Sequence, residues 1–120
     1  MEEKILLPAA QQARGGEALP VAAKLRLDHG ALAALLVPTP TPVIIATIRR
    51  ILTAHNTLEE GTGSVYEVCE QLAGADADAL LARLRAAPEV PVHPHVDGER
   101  IMDATRRALE RAGYRLDEPV

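Results

Sequence analysis

A histidine and a glutamate four residues apart are the first residues in this sequence whose types and spacing could do chemistry. His55 and Glu59 end a run, Val43 to Glu60, whose apolar residues recur at spacings of three and four. Such spacing places them on one helix face, where side chains at i and i+4 can meet one cation. A carboxylate on an apolar face needs a partner, because burying it unpaired is costly. The expected face is Ile45, Ile48, Leu52, His55 and Glu59, flanked by Ile44, Ile51 and Leu58.

The preceding run places a second histidine in the same kind of position. Glu17 to Val37 is predicted to form a long helix, and the proline-rich connector Pro38-Thr-Pro-Thr-Pro42 separates it from the next one. His29 lies 9 residues before the connector and His55 lies 13 after it. In an antiparallel pair their axial positions would differ by about 6 Å, which is compatible with one shared site. The expected apolar face of this helix is Ala22, Leu25, His29, Leu32 and Leu36.

Two interpretations of these polar residues stay open. In one they bind a metal, because His with carboxylate on bundle helices is the ligand set of non-haem iron and manganese sites, and zinc takes the same ligand types. In the other they form a buried hydrogen-bonded network in a metal-free helical module for protein–protein interaction or dimerisation. A hydrolase using metal-bound water has less support, since no substrate-positioning groups are recognisable.

Three short motifs resemble the hemerythrin-like (HHE cation-binding) domain family. His55-Asn-Thr-Leu-Glu59-Glu60 resembles its H-x-x-x-E-E motif, and Leu25-Arg-Leu-Asp-His29 resembles the single-His helix that precedes this motif in the second half of such domains. Glu2-Glu3-Lys-Ile-Leu-Leu-Pro8 resembles the tail of the first-half motif, with Glu2 in the place of its carboxylate. The resemblance covers residues 2–73 and implies an up-down four-helix bundle that binds two iron ions through bridging carboxylates and terminal histidines.

The resemblance also implies an incomplete metal site. The first helix of the family and its first-half histidine have no counterpart after Met1, so the implied metal ligands are Glu2, His29, His55 and Glu59. We therefore expect an N-terminally truncated hemerythrin-like bundle that holds one non-haem iron ion or none, with zinc or manganese as other metals. The relatives imply a role in oxygen binding, redox or iron sensing. Apolar faces that a first helix would cover predict a homodimer.

Helix signals and breaks predict an all-α chain, an antiparallel helical bundle with additional short C-terminal helices. The bundle is expected over residues 1–87, and a C-terminal loop and amphipathic helix over 88–120. Residues 117–120 are expected to form a loose tail. The expected helices are 2–13 with Pro8 in a first turn or at a kink, 17–37 with Pro20 in its first turn, 43–60, 64–73 with a capping box at Ser64, 76–86 capped by Asp76, and 99–113.

Composition excludes several classes of function. The 120-residue chain has 48% hydrophobic residues, a formal net charge of −4, and only Tyr66 and Tyr114 as aromatic residues. Without a basic block or stacking rings we expect no nucleic-acid partner, and without a long apolar run no membrane partner. The single cysteine, Cys69, excludes an intrachain disulfide and a thiolate metal cluster. The acidic start lacks the charge of a signal peptide, so we predict a cytoplasmic protein.

Other polar residues are weaker candidates for a site. His93 and His95 could place two imidazoles on one side of an extended segment, although Pro-rich loops are usually connectors. Asp76 and Asp78 fit helix-start carboxylates better than a metal site. Cys69 fits a buried, inert thiol, because no positive charge adjoins it.

Overall fold

The computed structural model describes residues 2–61 and 65–116, and every regular element in these ranges is helical. A π-helical segment, Glu2–Leu6, precedes the first α-helix, and a 3-10 turn, Gly74–Asp76, lies between the fourth and fifth. The expected all-α, helical-bundle class is confirmed. The α-helices are α1 Leu7–Ala13, α2 Ala22–Leu35, α3 Pro42–Glu60, α4 Val65–Ala73, α5 Ala77–Ala86 and α6 Glu99–Ala112.

The first helical segment changes its winding next to a proline. Glu2–Leu6 is wound as a π-helix, and α1 begins at Leu7 with Pro8 in its first turn. Proline has no N–H to donate to a preceding turn, and Pro8 lies next to the point where the winding changes from π to α. The helix expected over residues 2–13 is therefore present, with Pro8 at a change of winding.

α2 is shorter than the sequence predicts. The expected helix runs over residues 17–37 with Pro20 in its first turn, but α2 begins at Ala22, so Pro20 lies before the helix. Proline disfavours helical backbone in the residue that precedes it, which keeps Leu19 outside the helix. The Ala22 N–H donates to the Leu19 carbonyl at 3.0 Å and closes a turn ahead of α2.

The end of α6 follows the local signal that the sequence provides. Gly113 adopts a left-handed backbone conformation with φ of +87°. Its N–H donates to the Glu110 carbonyl at 3.0 Å, and the Tyr114 N–H donates to the Leu109 carbonyl at 2.8 Å. This pattern satisfies two of the last carbonyls of the helix and favours glycine, which has no Cβ to clash.

The start of α5 differs from the prediction. Asp76 precedes the helix, but its side chain makes no capping hydrogen bond. The 3-10 turn leads directly into α5, and the Ala77 N–H donates to the Gly74 carbonyl instead. The predicted N-cap role of Asp76 is therefore wrong. The predicted capping box at Ser64 and the predicted tail over residues 117–120 lie outside the described residues.

Contacts divide the chain into two compact units. The first combines the chain up to Ala22 with Thr57–Pro91, and the second combines Ala23–Asn56 with the chain from Val92 onward. α6 belongs to the same unit as most of α2 and α3. In the first unit, α1 contacts α4, and the Glu2–Leu6 segment contacts both α1 and α5.

The second unit is built from α2, α3 and α6. Leu35 and Ile44, which flank the connector, share its core, and His29 meets His55 farther from the connector, so α2 and α3 run antiparallel as predicted. Leu32, Ile48, Tyr114 and Leu116 pack around the core. The buried core residues are Ala31, Leu35, Ile44, Ile51, Leu109 and Ala112.

The connector between α2 and α3 is fastened by the loop that precedes α6. The Asp97 carboxylate accepts hydrogen bonds from the Thr39 N–H at 2.8 Å and from the Thr39 hydroxyl at 2.6 Å. The Val96 N–H also donates to the Val37 carbonyl at 2.8 Å. The two hydrogen bonds from Thr39, the side-chain bond first, lower the pKa of the Asp97 carboxyl below its ordinary value of 3.8.

Replacing Thr39 with valine should return the pKa of Asp97 toward its ordinary value, because the hydroxyl donor is lost. The two hydrogen bonds from Thr39 favour the ionised Asp97 carboxylate in the folded state. Their contribution to the stability of the fold is therefore present above the ordinary pKa of Asp97. It is lost as the pH falls through the lowered pKa. An NMR titration of the Asp97 carboxyl in wild type and Thr39→Val measures the shift. Thr53→Val is the matched control, because the Thr53 hydroxyl donates to the Arg49 carbonyl and not to Asp97. An unchanged Asp97 pKa in Thr39→Val would contradict the assignment of the lowered pKa to the Thr39 hydrogen bonds.

Candidate metal centre

The buried face of α3 is rotated by one position from the predicted face. His55 and Glu59 are buried as predicted, at 3% and 5% exposure. Ile45 and Leu52, which the prediction placed on the same face, are 43% and 37% exposed, whereas Ile51 is fully buried. Because Ile51 and Leu52 are both apolar, residue type does not distinguish the two faces. The buried face comprises Ile44, Thr47, Ile51, His55 and Glu59.

α2 shows the same rotation, which brings an aspartate into the interior. Asp28 is fully buried and His29 is half-buried, whereas Leu36, predicted to be buried, is 64% exposed. The sequence prediction missed Asp28 because the neighbouring face through His29 is equally apolar. The residues of the observed face also follow helical spacing, so the sequence pattern was compatible with a buried Asp28. The buried residues of α2 are Ala22, Leu25, Asp28, Ala31 and Leu35.

The two predicted histidines meet directly. The Nε2 atoms of His29 and His55 lie 3.1 Å apart, and the ring centroids lie 4.8 Å apart in an edge-to-face arrangement. Two imidazole nitrogens bound to one tetrahedral ion at about 2.0–2.1 Å would stand about 3.3 Å apart. The separation of the two Nε2 atoms is therefore already close to that required for a shared ion.

Asp28 fixes the other side of the His55 ring. Its Oδ2 lies 3.0 Å from His55 Nδ1, and its Oδ1 lies 2.7 Å from the Lys24 ammonium. An ionised carboxylate can only accept hydrogen bonds, so the His55 Nδ1 carries the proton that Asp28 accepts. The Nε2 lone pair of His55 then points toward His29. A carboxylate in this position is the usual outer partner of a metal-binding histidine.

Lys24 is held by three different groups. Its ammonium forms an ion pair with Asp28, donates to the Ala112 carbonyl at 2.6 Å, and lies 4.5 Å from the centre of the Tyr114 ring. Burial lowers the pKa of Lys24, but the hydrogen bond and charge of Asp28, with Tyr114 adding less, outweigh burial and raise the pKa. The lysine therefore stays charged and keeps Asp28 paired. The last turn of α6 thus contacts the residues that support His55.

Tyr66 lies beside the two glutamates of the predicted site. Its hydroxyl donates to Glu2 Oε1 at 2.5 Å. Burial, then the hydrogen bond and charge of Glu2, then Glu59 raise the pKa of Tyr66 well above its ordinary value. The hydroxyl therefore keeps its proton at neutral pH and serves as a hydrogen-bond donor to carboxylate. The sequence offered no signal for this role, because Tyr66 lies on α4 with no motif around it.

Each compact unit brings two of the four predicted ligands together. In the second unit, the Nε2 atoms of His29 and His55 lie 3.1 Å apart. In the first unit, Glu2 and Glu59 both act on Tyr66. Glu59 lies one turn beyond His55 on α3 and is buried like His55. His and Glu side chains of metal-binding type are thus present among the described residues.

The weaker candidate residues do not join a comparable cluster. Within residues 2–61 and 65–116, these candidates belong to no group of three or more His, Cys, Asp or Glu side chains that could hold an ion: Cys69, Asp76, Asp78, His93 and His95. His95 instead lies 3.2 Å, through Nδ1, from the Leu36 carbonyl. Cys69 is buried, and burial raises the pKa of its thiol. This agrees with the predicted inert thiol.

Comparison with known proteins does not assign this chain to a class. No protein family, curated protein or solved structure matches it. Among the described helices, none combines the length and the hydropathy that crossing a bilayer requires.

Proposed function

We propose that this chain is a hemerythrin-like helical protein that binds one non-haem metal ion, iron foremost, through Glu2, His29, His55 and Glu59. The observation that carries the proposal is the 3.1 Å separation of the Nε2 atoms of His29 and His55, with Glu59 buried one turn beyond His55 on α3. Zinc or manganese would satisfy the same donors. The proposed compartment is the cytoplasm, where the free thiol of Cys69 stays reduced.

The donor set suits a divalent cation. Two neutral imidazoles and two carboxylates bring two negative charges, which balance the charge of the ion inside the protein. Nitrogen and oxygen ligands of this kind, when they leave coordination positions open, are typical of non-haem iron. Iron held there would supply the redox chemistry and the open positions that oxygen binding, redox or iron sensing requires. The chain itself orients the donors, through Asp28 on His55 and through Tyr66 on Glu2.

Metal content per chain tests this proposal. Protein purified without chelator and loaded anaerobically with ferrous iron should contain about one metal ion per chain, and His55→Ala should contain almost none. The variant loses a buried nitrogen ligand whose Nε2 faces that of His29. His95→Ala is the matched control, since it removes an exposed histidine that bonds to a backbone carbonyl. Absence of metal from wild type after loading, or equal metal in wild type and His55→Ala, would overturn the proposal.

A metal-free interaction or dimerisation module is the second candidate function. It is favoured by exposed apolar side chains on the second unit, Ile45 and Leu52 at i and i+7 on α3 together with Leu27 on α2. Apolar side chains at this spacing form a stripe that a second copy of the chain could cover. Light scattering of the purified protein should then give twice the chain mass. Leu52→Glu should return it to a monomer, and a monomeric wild type would exclude the homodimer.

A further inference from the structure

We infer that Asp28 is the positioning residue of the metal site, and that Lys24, held by the last turn of α6, sets the direction in which residue 28 hydrogen-bonds. The inference rests on the proposed function, because it assigns residues that prepare a ligand for the ion. Asp28 is fully buried and is not itself one of the four proposed ligands. Its two oxygens face His55 Nδ1 and the Lys24 ammonium.

The arrangement selects one tautomer of His55. The ammonium of Lys24 can only donate, so it requires an acceptor atom, which is Oδ1 of Asp28. The remaining Oδ2 accepts the Nδ1 proton of His55, and the Nε2 lone pair is then available 3.1 Å from His29 Nε2. A histidine prepared in this way does not have to lose or move a proton when a cation arrives.

α6 takes part because it holds Lys24. The ammonium donates to the carbonyl of Ala112, at the negative end of the helix dipole, and lies over the ring of Tyr114. These contacts leave the ammonium little freedom to turn away from Asp28. Ala112 and Tyr114 would not contact the metal. They hold Lys24 beside Asp28, and they therefore help to set the tautomer of His55.

Asp28→Asn provides a sharp test. Lys24 will draw the amide oxygen of the asparagine toward itself, and the amide NH2 will then face His55 Nδ1. Because this nitrogen must now accept, the proton moves to Nε2, the nitrogen that would bind the ion. We expect the metal-free variant to show the Nε2–H tautomer of His55 in long-range 1H–15N spectra, where wild type shows Nδ1–H. Zn2+ affinity should fall about 10- to 100-fold.

Two further variants separate positioning from a structural role. Asp103→Asn removes the same charge at an exposed position of α6 and should leave both readouts at wild-type values. Adding Lys24→Met to Asp28→Asn frees the amide to turn its oxygen toward His55, and should restore the Nδ1–H tautomer and part of the Zn2+ affinity. A loss of packing at position 28 alone would not be rescued by a second change at the half-exposed Lys24.

The outcomes distinguish this inference from the proposed function. If Asp28→Asn keeps the Nδ1–H tautomer, or binds Zn2+ as wild type does, the inference is overturned while the metal site stands. If wild type takes up neither Fe2+ nor Zn2+, the proposed function fails, and so does the inferred role of Asp28 in preparing a metal ligand. The tautomer of the metal-free protein is measured in either case, so the two failures are told apart.

Discussion

Saturating divalent metal should raise the melting temperature of this protein by about 10 °C. A ligand that binds only the folded chain stabilises it by about 2.7 kcal/mol at 100 times its dissociation constant, and for a chain of this size that corresponds to roughly 10 °C. The four donors come from distant parts of the sequence, Glu2 to Glu59. An unfolded chain therefore does not hold them together, and the metal favours the folded state. Calorimetric scans with and without Fe2+ or Zn2+ measure the shift.

The double variant His29→Ala/His55→Ala is the control for this prediction. Removing both imidazoles leaves only carboxylates, so the metal-induced shift should fall close to zero even if the variant melts lower than wild type. Comparing each protein with and without metal removes the intrinsic effect of the substitutions. An equal shift in both proteins would indicate that the metal binds elsewhere, and no shift in wild type would favour the metal-free module.

Truncating Ile51 to alanine should destabilise the protein by about 2–5 kcal/mol, the range for large-to-small changes in a packed core. Its side chain is fully buried in the core formed by α2, α3 and α6. The loss combines the transfer free energy of the removed methyl and methylene groups with the cavity that remains. Urea unfolding followed by circular dichroism gives the free energy of unfolding of each variant.

The neighbouring Leu52→Ala is the matched control for helix phase. Leu52 is 37% exposed, so its truncation should cost about 1 kcal/mol or less. Apolar spacing alone placed Leu52 on the inward face, and the structure places Ile51 there instead. A larger loss for Leu52→Ala than for Ile51→Ala would show that α3 is rotated as the sequence predicted.

The buried polar residues of α2 and α3 favour a binding role over a purely structural one. Asp28, His55 and Glu59 are almost completely buried, and Lys24 pairs with the first of them. Burying such groups carries a desolvation cost, and well-packed apolar residues at the same positions are often equally stable or more stable. A helical module that needed only stability would gain little from this network. A site that must present nitrogen and oxygen ligands requires polar groups in these places.

The sequence was sufficient for some features that a local interaction decides. Gly113 ended α6 and the Pro-rich connector separated α2 from α3, because each acts through its own backbone. The spacing of His55 and Glu59 likewise required a shared helix face, since the helical period fixes it. Two local signals misled. A proline such as Pro20 suits a first turn and also the stretch before a helix, and the Asp76 side chain makes no capping hydrogen bond.

Only the tertiary structure decided which face of each helix is buried. On α2 and α3, adjacent faces carry similar apolar residues, so hydrophobic periodicity leaves two rotations nearly equal, and packing against a neighbouring helix selects one. That choice buried Asp28 and Ile51 and exposed Leu36 and Leu52. It also brought Lys24 to Ala112, 88 positions away, a contact that no local spacing encodes. The sequence by itself determined which residue types can bind a metal, and the packing of the helices determined which other residues hold them in place.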